Sequence, residues 1–152
     1  SGAKILYLYP ANLTLGAGCK KGKPAKELED FFCRSLKSLG LRKEQVEKIG
    51  SIDRKEEEEG FIELADQWNI PFETWPEEVL KQIENVSRES GFVRQVTGIG
   101  NVCERAAIQG SKNGRLLLEK TAENGMTLAV AAKDWSVAFD EIICSRHRAG
   151  KL

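Results

Sequence analysis

The sequence predicts an α/β fold in which helices pack against a mixed β-sheet. In the first half of the chain, apolar strand-like runs alternate with amphipathic helical segments, a pattern typical of parallel strands joined by right-handed crossovers. In the second half, two strand-like runs flank Glu123-Asn124-Gly125, and Asn-Gly is the strongest short-range signal for a hairpin. An antiparallel hairpin beside parallel crossovers makes the predicted sheet mixed.

Composition and charge describe a single globular domain. The chain has 152 residues, of which 41% are hydrophobic and 30% are charged, as in ordinary soluble proteins with one buried core. Its 23 basic and 23 acidic residues cancel, so no overall field favours nucleic acid or an acidic membrane as a partner. The sequence contains no apolar run of ~20 residues and no signal-peptide pattern, so we expect a cytoplasmic protein.

The predicted elements follow one another through residues 13–132, which we take as the domain. The first strand begins at Leu13, and an amphipathic helix with Pro24 at its start comes next. Residues 1–12 are predicted to be a leading extended segment or a cloning remnant, and residues 133–152 a C-terminal extension. The other strands are predicted at 48–52, 70–75, 115–119 and 127–131, and the helices at 25–39, 61–69, 76–83 and 102–107.

The bend after the first strand has the composition of an anion-binding pocket. Glycine lets the backbone turn tightly, and free N–H groups near a helix N-terminus attract anions. Ammonium groups beside them would strengthen that attraction; the alternative is that the glycines serve only the turn. The bend combines three glycines, one cysteine and three lysines, namely Gly16, Gly18, Gly22, Cys19, Lys20, Lys21 and Lys23.

A second bend precedes the helix of small residues that begins near residue 102. Gly98 and Gly100 free its backbone, while Thr97 and Asn101 carry side chains that cap helices or bind ligands. If both bends lie at one edge of the sheet, their amide groups suit a ligand with several carboxylates better than a single phosphate.

Neither bend fits a nucleotide-binding motif. Aligning Gly22-Lys23 on a Walker A motif puts Ala17 at its first glycine and Pro24 at the hydroxyl that binds magnesium. In the second bend, Cys103 stands at the third glycine of a dinucleotide-binding motif. The sequence therefore disfavours a nucleotide triphosphatase and a nicotinamide or flavin enzyme.

The side chains near the bends leave the chemistry open. Asp53 and Glu104 are the nearest carboxylates, and each is a candidate to orient a ligand, to act as acid or base, or to cap a turn. Cys19 has either a thiol pKa lowered by the lysines or the role of a small turn residue. The acidic run 56–59 is predicted to be a solvated helix start. Because the four cysteines form no C-x-x-C pair and His147 is the single histidine, we predict no metal site.

Three blocks of sequence together resemble one known family, the C-terminal domain of CbiG, which is shared with the stand-alone protein CobE of cobalamin biosynthesis. The order and separations of the blocks match, and the resemblance covers roughly residues 13–132. Ala17 and Arg105 depart from the residues usual in the family, but neither removes an anion-binding group. The blocks are residues 16–22, 51–55 and 96–104.

The resemblance implies a three-layer α/β/α sandwich with a mixed, mostly parallel sheet. It also implies a substrate, because CbiG opens the δ-lactone of cobalt-precorrin-5A and releases acetaldehyde. The acetate and propionate arms of that substrate agree with an anion site, and its cobalt arrives within the macrocycle, so we expect no cofactor belonging to the chain. The residues expected to bind the substrate are Gly16, Gly18, Cys19, Lys20, Lys21, Gly22, Ser51, Asp53, Thr97, Gly98, Gly100, Asn101 and Glu104.

The resemblance also concerns partners. CbiG has an N-terminal portion that is missing here, so this chain alone is not expected to be a complete hydrolase. That portion, another cobalamin-pathway enzyme or a second copy in a homodimer are the expected protein partners. If the domain contributes to lactone opening, Asp53 or Glu104 is the expected acid–base group. Two other hypotheses stay open: a nucleotide- or phosphate-binding regulatory module, and an interaction domain without a ligand.

Overall fold

A computed structural model describes residues 11–83 and 101–133. Residues 1–10 of the predicted leading segment, the bend residues before 101 and the extension after 133 lie outside these ranges. The elements in chain order are β1 (Leu13–Cys19), α1 (Ala25–Ser38), β2 (Val46–Ile52), α2 (Glu59–Gln67), β3 (Phe72–Trp75), α3 (Glu77–Leu80), α4 (Val102–Gly110), β4 (Arg115–Glu123) and β5 (Met126–Ala132). Short 3-10 helices span Lys43–Gln45 and Asp53–Lys55.

Within the described residues, five strands form one sheet in the order β3-β2-β1-β5-β4. β2 pairs in parallel with both β1 and β3, whereas β5 pairs antiparallel with both β1 and β4. Four strands therefore run in one direction and β5 runs against them. The predicted mixed, mostly parallel sheet is confirmed.

The side chains of β1 alternate between two helical layers. Leu13, Leu15 and Ala17 are buried in the larger core, to which α1 and α2 contribute their apolar stripes. Gly16 lies on the opposite face, directly beneath the backbone of α4. A smaller core of alanine and isoleucine side chains fills the space between α4 and the sheet. Because helices cover both faces, the predicted three-layer α/β/α sandwich is confirmed.

Helix α1 forms where its apolar periodicity predicts. Pro24 precedes its first turn, where a missing backbone N–H costs no intrahelical hydrogen bond. Gly40, with a φ of +72°, ends the helix, and the N–H of Leu41 donates to the carbonyl of Leu36 at 2.9 Å. These bonds satisfy carbonyl groups that the last turn leaves unpaired. The buried stripe consists of Leu28, Phe31, Phe32 and Leu36.

The predicted hairpin is confirmed, and its strands are longer than predicted. Asn124 and Gly125 have φ values of +48° and +78°, and positive φ at both positions suits a two-residue turn that matches the twist of the strands. β4 continues to Glu123 and β5 begins at Met126 because these two residues pair directly beside the turn.

Other predicted boundaries are also wrong. α2 spans Glu59–Gln67 and is shifted two residues toward the N-terminus, and α4 continues to Gly110, three residues past its predicted end. β2 begins at Val46, two residues early, because Val46 pairs with Leu13 of β1. β3 begins at Phe72, since its pairing with β2 starts there. The predicted helix over 76–83 contains only the four residues of α3, and turns follow it to Ile83.

Candidate functional site

Gly16 and Gly18 lie within β1 and not in the bend that was predicted to contain them. A Cβ atom at Gly16 would stand 1.8 Å from the carbonyl oxygen of Cys103 and 2.6 Å from the backbone nitrogen of Ala107. A Cβ at Gly18 would stand 2.8 Å from the Thr127 hydroxyl. Glycine at position 16 therefore lets the backbone of α4 lie directly on β1. This contact places the first turn of α4 at the carboxyl end of β1.

A cavity of about 410 Å³ opens where β1 and β2 end and α4 begins. It lies next to the line at which the sheet changes from parallel to antiparallel pairing, between β1 and β5. Crevices outside the carboxyl ends of parallel strands, where the topology switches, are the usual ligand sites of open α/β sheets. Its polar wall is formed by Ser51, Arg54, Lys55, Cys103 and Thr127.

The wall of this cavity is positively charged. Arg54 and Lys55 contribute two cations, and none of the described residues that line the cavity is acidic. Arg54 has no ion-pair partner among the described residues, so its guanidinium is available to a ligand. The dipole of α4, whose N-terminus lies at the same place, adds partial positive charge there. The arrangement can hold an anionic group such as a carboxylate.

A second cavity of about 440 Å³ adjoins the first and shares Gly18 and Thr127 with it. It lies between the end of β1 and the β4–β5 hairpin. The backbone N–H of Lys20 donates to the carbonyl of Gly125 at 2.8 Å, and the aliphatic stem of Lys20 lies over this glycine. Lys20 and its exposed neighbour Lys21 therefore add positive charge along the same edge of the sheet.

The bend formed by residues 20–23 is less open to an external anion than predicted. The N–H of Gly22 donates to a carboxylate oxygen of Glu58 at 3.2 Å, and the ammonium of Lys23 contacts Glu27 at 3.0 Å. Glu58 was predicted to be solvated, but only 9% of its side chain is exposed. The prediction failed because Glu58 is bound by Gly22, which lies 36 residues away, and the local charge pattern carries no sign of this contact.

Of the two alternatives for Cys19, a thiol pKa lowered by the lysines is wrong. Burial, followed by the carboxylate of Glu58, raises the pKa of Cys19 to about 11 and outweighs the opposite effect of Lys55 and Lys23. Burial likewise raises the pKa of Cys103 to about 11. Both thiols are therefore protonated at neutral pH, and neither is an activated nucleophile.

We expect Cys19 to react slowly with iodoacetamide. With a pKa of about 11 its thiolate fraction at pH 8 is roughly 100-fold below that of an ordinary cysteine, so the alkylation rate falls by a similar factor. The measurement uses a variant in which Cys19 is the single cysteine, with the same chain unfolded in urea as control. The rate should rise with pH and level off only near pH 11; levelling off near pH 8 would contradict the raised pKa.

The two candidate acid–base residues lie far apart. Asp53 is exposed, one residue beyond β2 and next to Arg54, at the edge of the cavity. Glu104 is fully buried, and its carboxylate accepts a hydrogen bond from the N–H of Lys120 in β4 at 2.7 Å. β2 and β4 are separated by three strand spacings, about 14 Å. The two carboxylates therefore cannot act together on one bond.

The remaining predicted site residues have distinct positions. The Ser51 hydroxyl donates to the carbonyl of Ala17 at 2.7 Å, so it joins β2 to β1 while lining the cavity. Asn101 precedes α4 with a left-handed φ of +51°. Thr97, Gly98 and Gly100 lie outside the described residues.

Sequence reasoning did not select the two cations of the cavity wall. Arg54 and Lys55 stand in the second of the three matching blocks, but only Ser51 and Asp53 of that block were taken as site residues. Their signal was available, because two consecutive basic residues follow a predicted buried strand, with only Asp53 between the strand and the pair. Thr127 had no such signal, since its place in the cavity depends on the pairing of β5 with β1.

The described part of the chain contains neither a candidate metal site nor a helix that could span a membrane. Among residues 11–83 and 101–133, no group of three or more histidine, cysteine, aspartate and glutamate side chains could hold a metal ion. No helix in the same ranges has the length and apolar character needed to cross a membrane.

The sequence of residues 13–131 matches a family described as cobalamin synthesis G C-terminus. The chain belongs to this family. It is 35% identical over 123 residues to cobalt-precorrin-5A hydrolase from Salmonella typhimurium and 31% identical over 127 residues to the hydrolase from Priestia megaterium. These matches cover 81% and 84% of this chain but 35% and 33% of the relatives. The CbiG-type domain thus spans about a third of their length.

Solved structures agree with this assignment. The structure of CobE, a protein from the cobalamin biosynthetic pathway, superposes with a TM-score of 0.70 at 27% identity, covering 79% of this chain and 92% of CobE. A cobalamin biosynthesis protein G homolog from Sulfolobus solfataricus gives a TM-score of 0.63 at 28% identity, covering 82% and 38%. The predicted resemblance to the CbiG C-terminal domain and CobE is confirmed.

Proposed function

We propose that this domain binds a cobalt-precorrin or a related corrin intermediate through the carboxylate arms of the macrocycle. One observation carries the proposal: the cavity at the carboxyl edge of the sheet presents Arg54 and Lys55, and none of the described residues lining it is acidic. The hydrolases to which the chain is similar are named for a cobalt-precorrin, and tetrapyrrole precursors of this kind bear several acetate and propionate groups.

The size of the cavity indicates which part of such a ligand enters it. Pockets for drug-sized ligands measure roughly 300–1,000 Å³, and a tetrapyrrole macrocycle with all its arms is larger than a drug-sized molecule. The cavity of about 410 Å³ therefore accepts an arm, and the ring lies outside it. We place a second arm over the adjoining cavity, near Lys20.

The complete reaction requires more than this domain in our proposal. The chain spans about a third of the matching hydrolases, so we assign opening of the δ-lactone and release of acetaldehyde to the domain together with an N-terminal portion. That portion, a pathway enzyme or a second copy of the domain would cover the exposed side of the ring. Cobalt enters as part of the substrate. Asp53, which is exposed beside Arg54, is the preferred acid–base candidate.

A titration of the purified chain with a cobalt-corrinoid intermediate, followed by absorbance, tests the proposal. We expect R54A with K55A to weaken binding by about 10-fold or more, because hydrogen bonds to charged groups contribute about 1.5–3 kcal/mol each. The matched control is K37A with R115A, which removes two cations elsewhere on the surface and leaves the cavity intact.

The outcomes separate the open hypotheses. Wild-type affinity in the R54A and K55A double variant would refute the cavity as the binding site. Stabilisation of the wild-type chain against heat by phosphate or nucleotides, without any by corrinoids, would support the regulatory module instead. No response to either class of ligand would favour the interaction domain.

A further inference from the structure

Glu58 connects the two loops that follow β1 and β2. One oxygen of its carboxylate accepts the hydrogen bond from the N–H of Gly22 at 3.2 Å, and the other contacts the ammonium of Lys55 at 3.4 Å. Only 9% of the Glu58 side chain is exposed. Lys55 in turn lines the cavity at the carboxyl edge of the sheet. Glu58 thus places a negative charge next to Lys55, one of the two cations that line the cavity, without lining the cavity itself.

This position changes the net charge that a ligand meets. Arg54 and Lys55 contribute two positive charges, and Glu58 offsets one of them through its contact with Lys55. About one positive charge is left, with a partial charge of roughly half a unit from the N-terminus of α4. A carboxylate arm with one negative charge matches this value, whereas pyrophosphate brings at least two negative charges toward the Glu58 carboxylate.

We propose that Glu58 is a specificity-determining residue that makes the cavity select carboxylate groups over phosphate groups. The inference rests on the proposed function, because it assumes that Arg54 and Lys55 bind an anionic arm of the ligand. Glu58 acts through Lys55 and through its own field; it does not touch the ligand. Its partner Gly22 keeps the carboxylate in place, since the backbone N–H is fixed by the bend.

The test measures the ratio of the affinity for pyrophosphate to the affinity for uroporphyrin in three proteins: wild type, E58Q and E57Q. The probes are uroporphyrin, a tetrapyrrole with eight carboxylates, and inorganic pyrophosphate, each titrated at the same ionic strength. Glutamine retains an oxygen that can accept the Gly22 hydrogen bond, so E58Q removes the charge and keeps the connection. E57Q is the matched control, because Glu57 is the adjacent exposed glutamate and does not contact Lys55.

We expect E58Q to bind pyrophosphate more tightly relative to uroporphyrin, by about fivefold, because removal of a charge several ångströms away favours the more highly charged group. E57Q should leave the ratio unchanged. A purely structural role of Glu58 would lower both affinities together and leave the ratio at the wild-type value, which would refute the inference.

The same titrations distinguish failure of the proposed function from failure of the role assigned to Glu58. If wild type binds neither probe and no cobalt corrinoid, the cavity is not an anion site, and both proposals fall together. If wild type binds uroporphyrin and R54A with K55A weakens that binding, but E58Q keeps the wild-type ratio, only the role of Glu58 is refuted.

Discussion

G16A is expected to lower the free energy of unfolding by about 3 kcal/mol or more. A methyl group at this position would stand 1.8 Å from the carbonyl oxygen of Cys103 and 2.6 Å from the backbone nitrogen of Ala107, so the backbone of α4 leaves it no space. Overpacking in a well-packed interior costs about 1–3 kcal/mol, and more where the obstacle is backbone. Helix α4 must move away from β1, so the cavity at its first turn is also expected to lose ligand affinity.

Urea denaturation followed by circular dichroism measures this effect. G22A is the control: Gly22 has a φ of +88°, but no described atom outside its neighbours would lie within 4 Å of a new Cβ. G22A should therefore lower the free energy of unfolding by only about 1 kcal/mol, because alanine is strained at a positive φ but meets no other described atom there. Equal stability losses in the two variants would show that α4 does not rest on β1 as described.

E104A is expected to lower the free energy of unfolding by about 2 kcal/mol or more. The carboxylate of Glu104 is fully buried and accepts the N–H of Lys120 where the β4–β5 ladder is irregular, between Leu118 and Thr121. Removing the acceptor leaves the part-buried N–H of Lys120 without this hydrogen bond, which costs about 1 kcal/mol, and the lost volume of a fully buried side chain adds to this.

E104Q and D53N distinguish the structural role of Glu104 from a catalytic one. Glutamine can still accept from Lys120, so E104Q should recover part of the stability that E104A loses. D53N changes an exposed residue and should alter stability by less than about 0.5 kcal/mol. Under the proposed function, we expect D53N to reduce lactone opening more than E104Q does when the domain is assayed together with an N-terminal portion. The opposite order of activities would make Glu104 the acid–base group.

Local signals account for the elements that were predicted correctly. Helix α1 could be predicted because its apolar stripe, the proline before it (Pro24) and the glycine after it (Gly40) all lie within one continuous segment. The hairpin follows from Asn124 and Gly125, which adopt positive φ with little cost. The family blocks in turn located the carboxyl ends of β1 and β2, where the cavity opens.

Contacts between distant segments account for what the sequence could not predict. The start of β2 depends on its pairing with β1, and the role of Glu58 depends on Gly22, which lies 36 residues away. The raised pKa of Cys19 has the same origin, because burial and Glu58 act on it through the folded structure. Counting the neighbouring lysines alone gives the opposite direction.

The sequence by itself determined the layered α/β architecture, the family and the two segments that meet at the carboxyl edge of the sheet, because periodicity, turn residues and motif spacing are properties of the chain. The tertiary structure alone decided which charges face the cavity. It directs Glu58 toward Gly22 and Lys55 and leaves Arg54 without an ion-pair partner among the described residues. Electrostatic interactions depend on distance and burial, and neither quantity exists until the segments pack together.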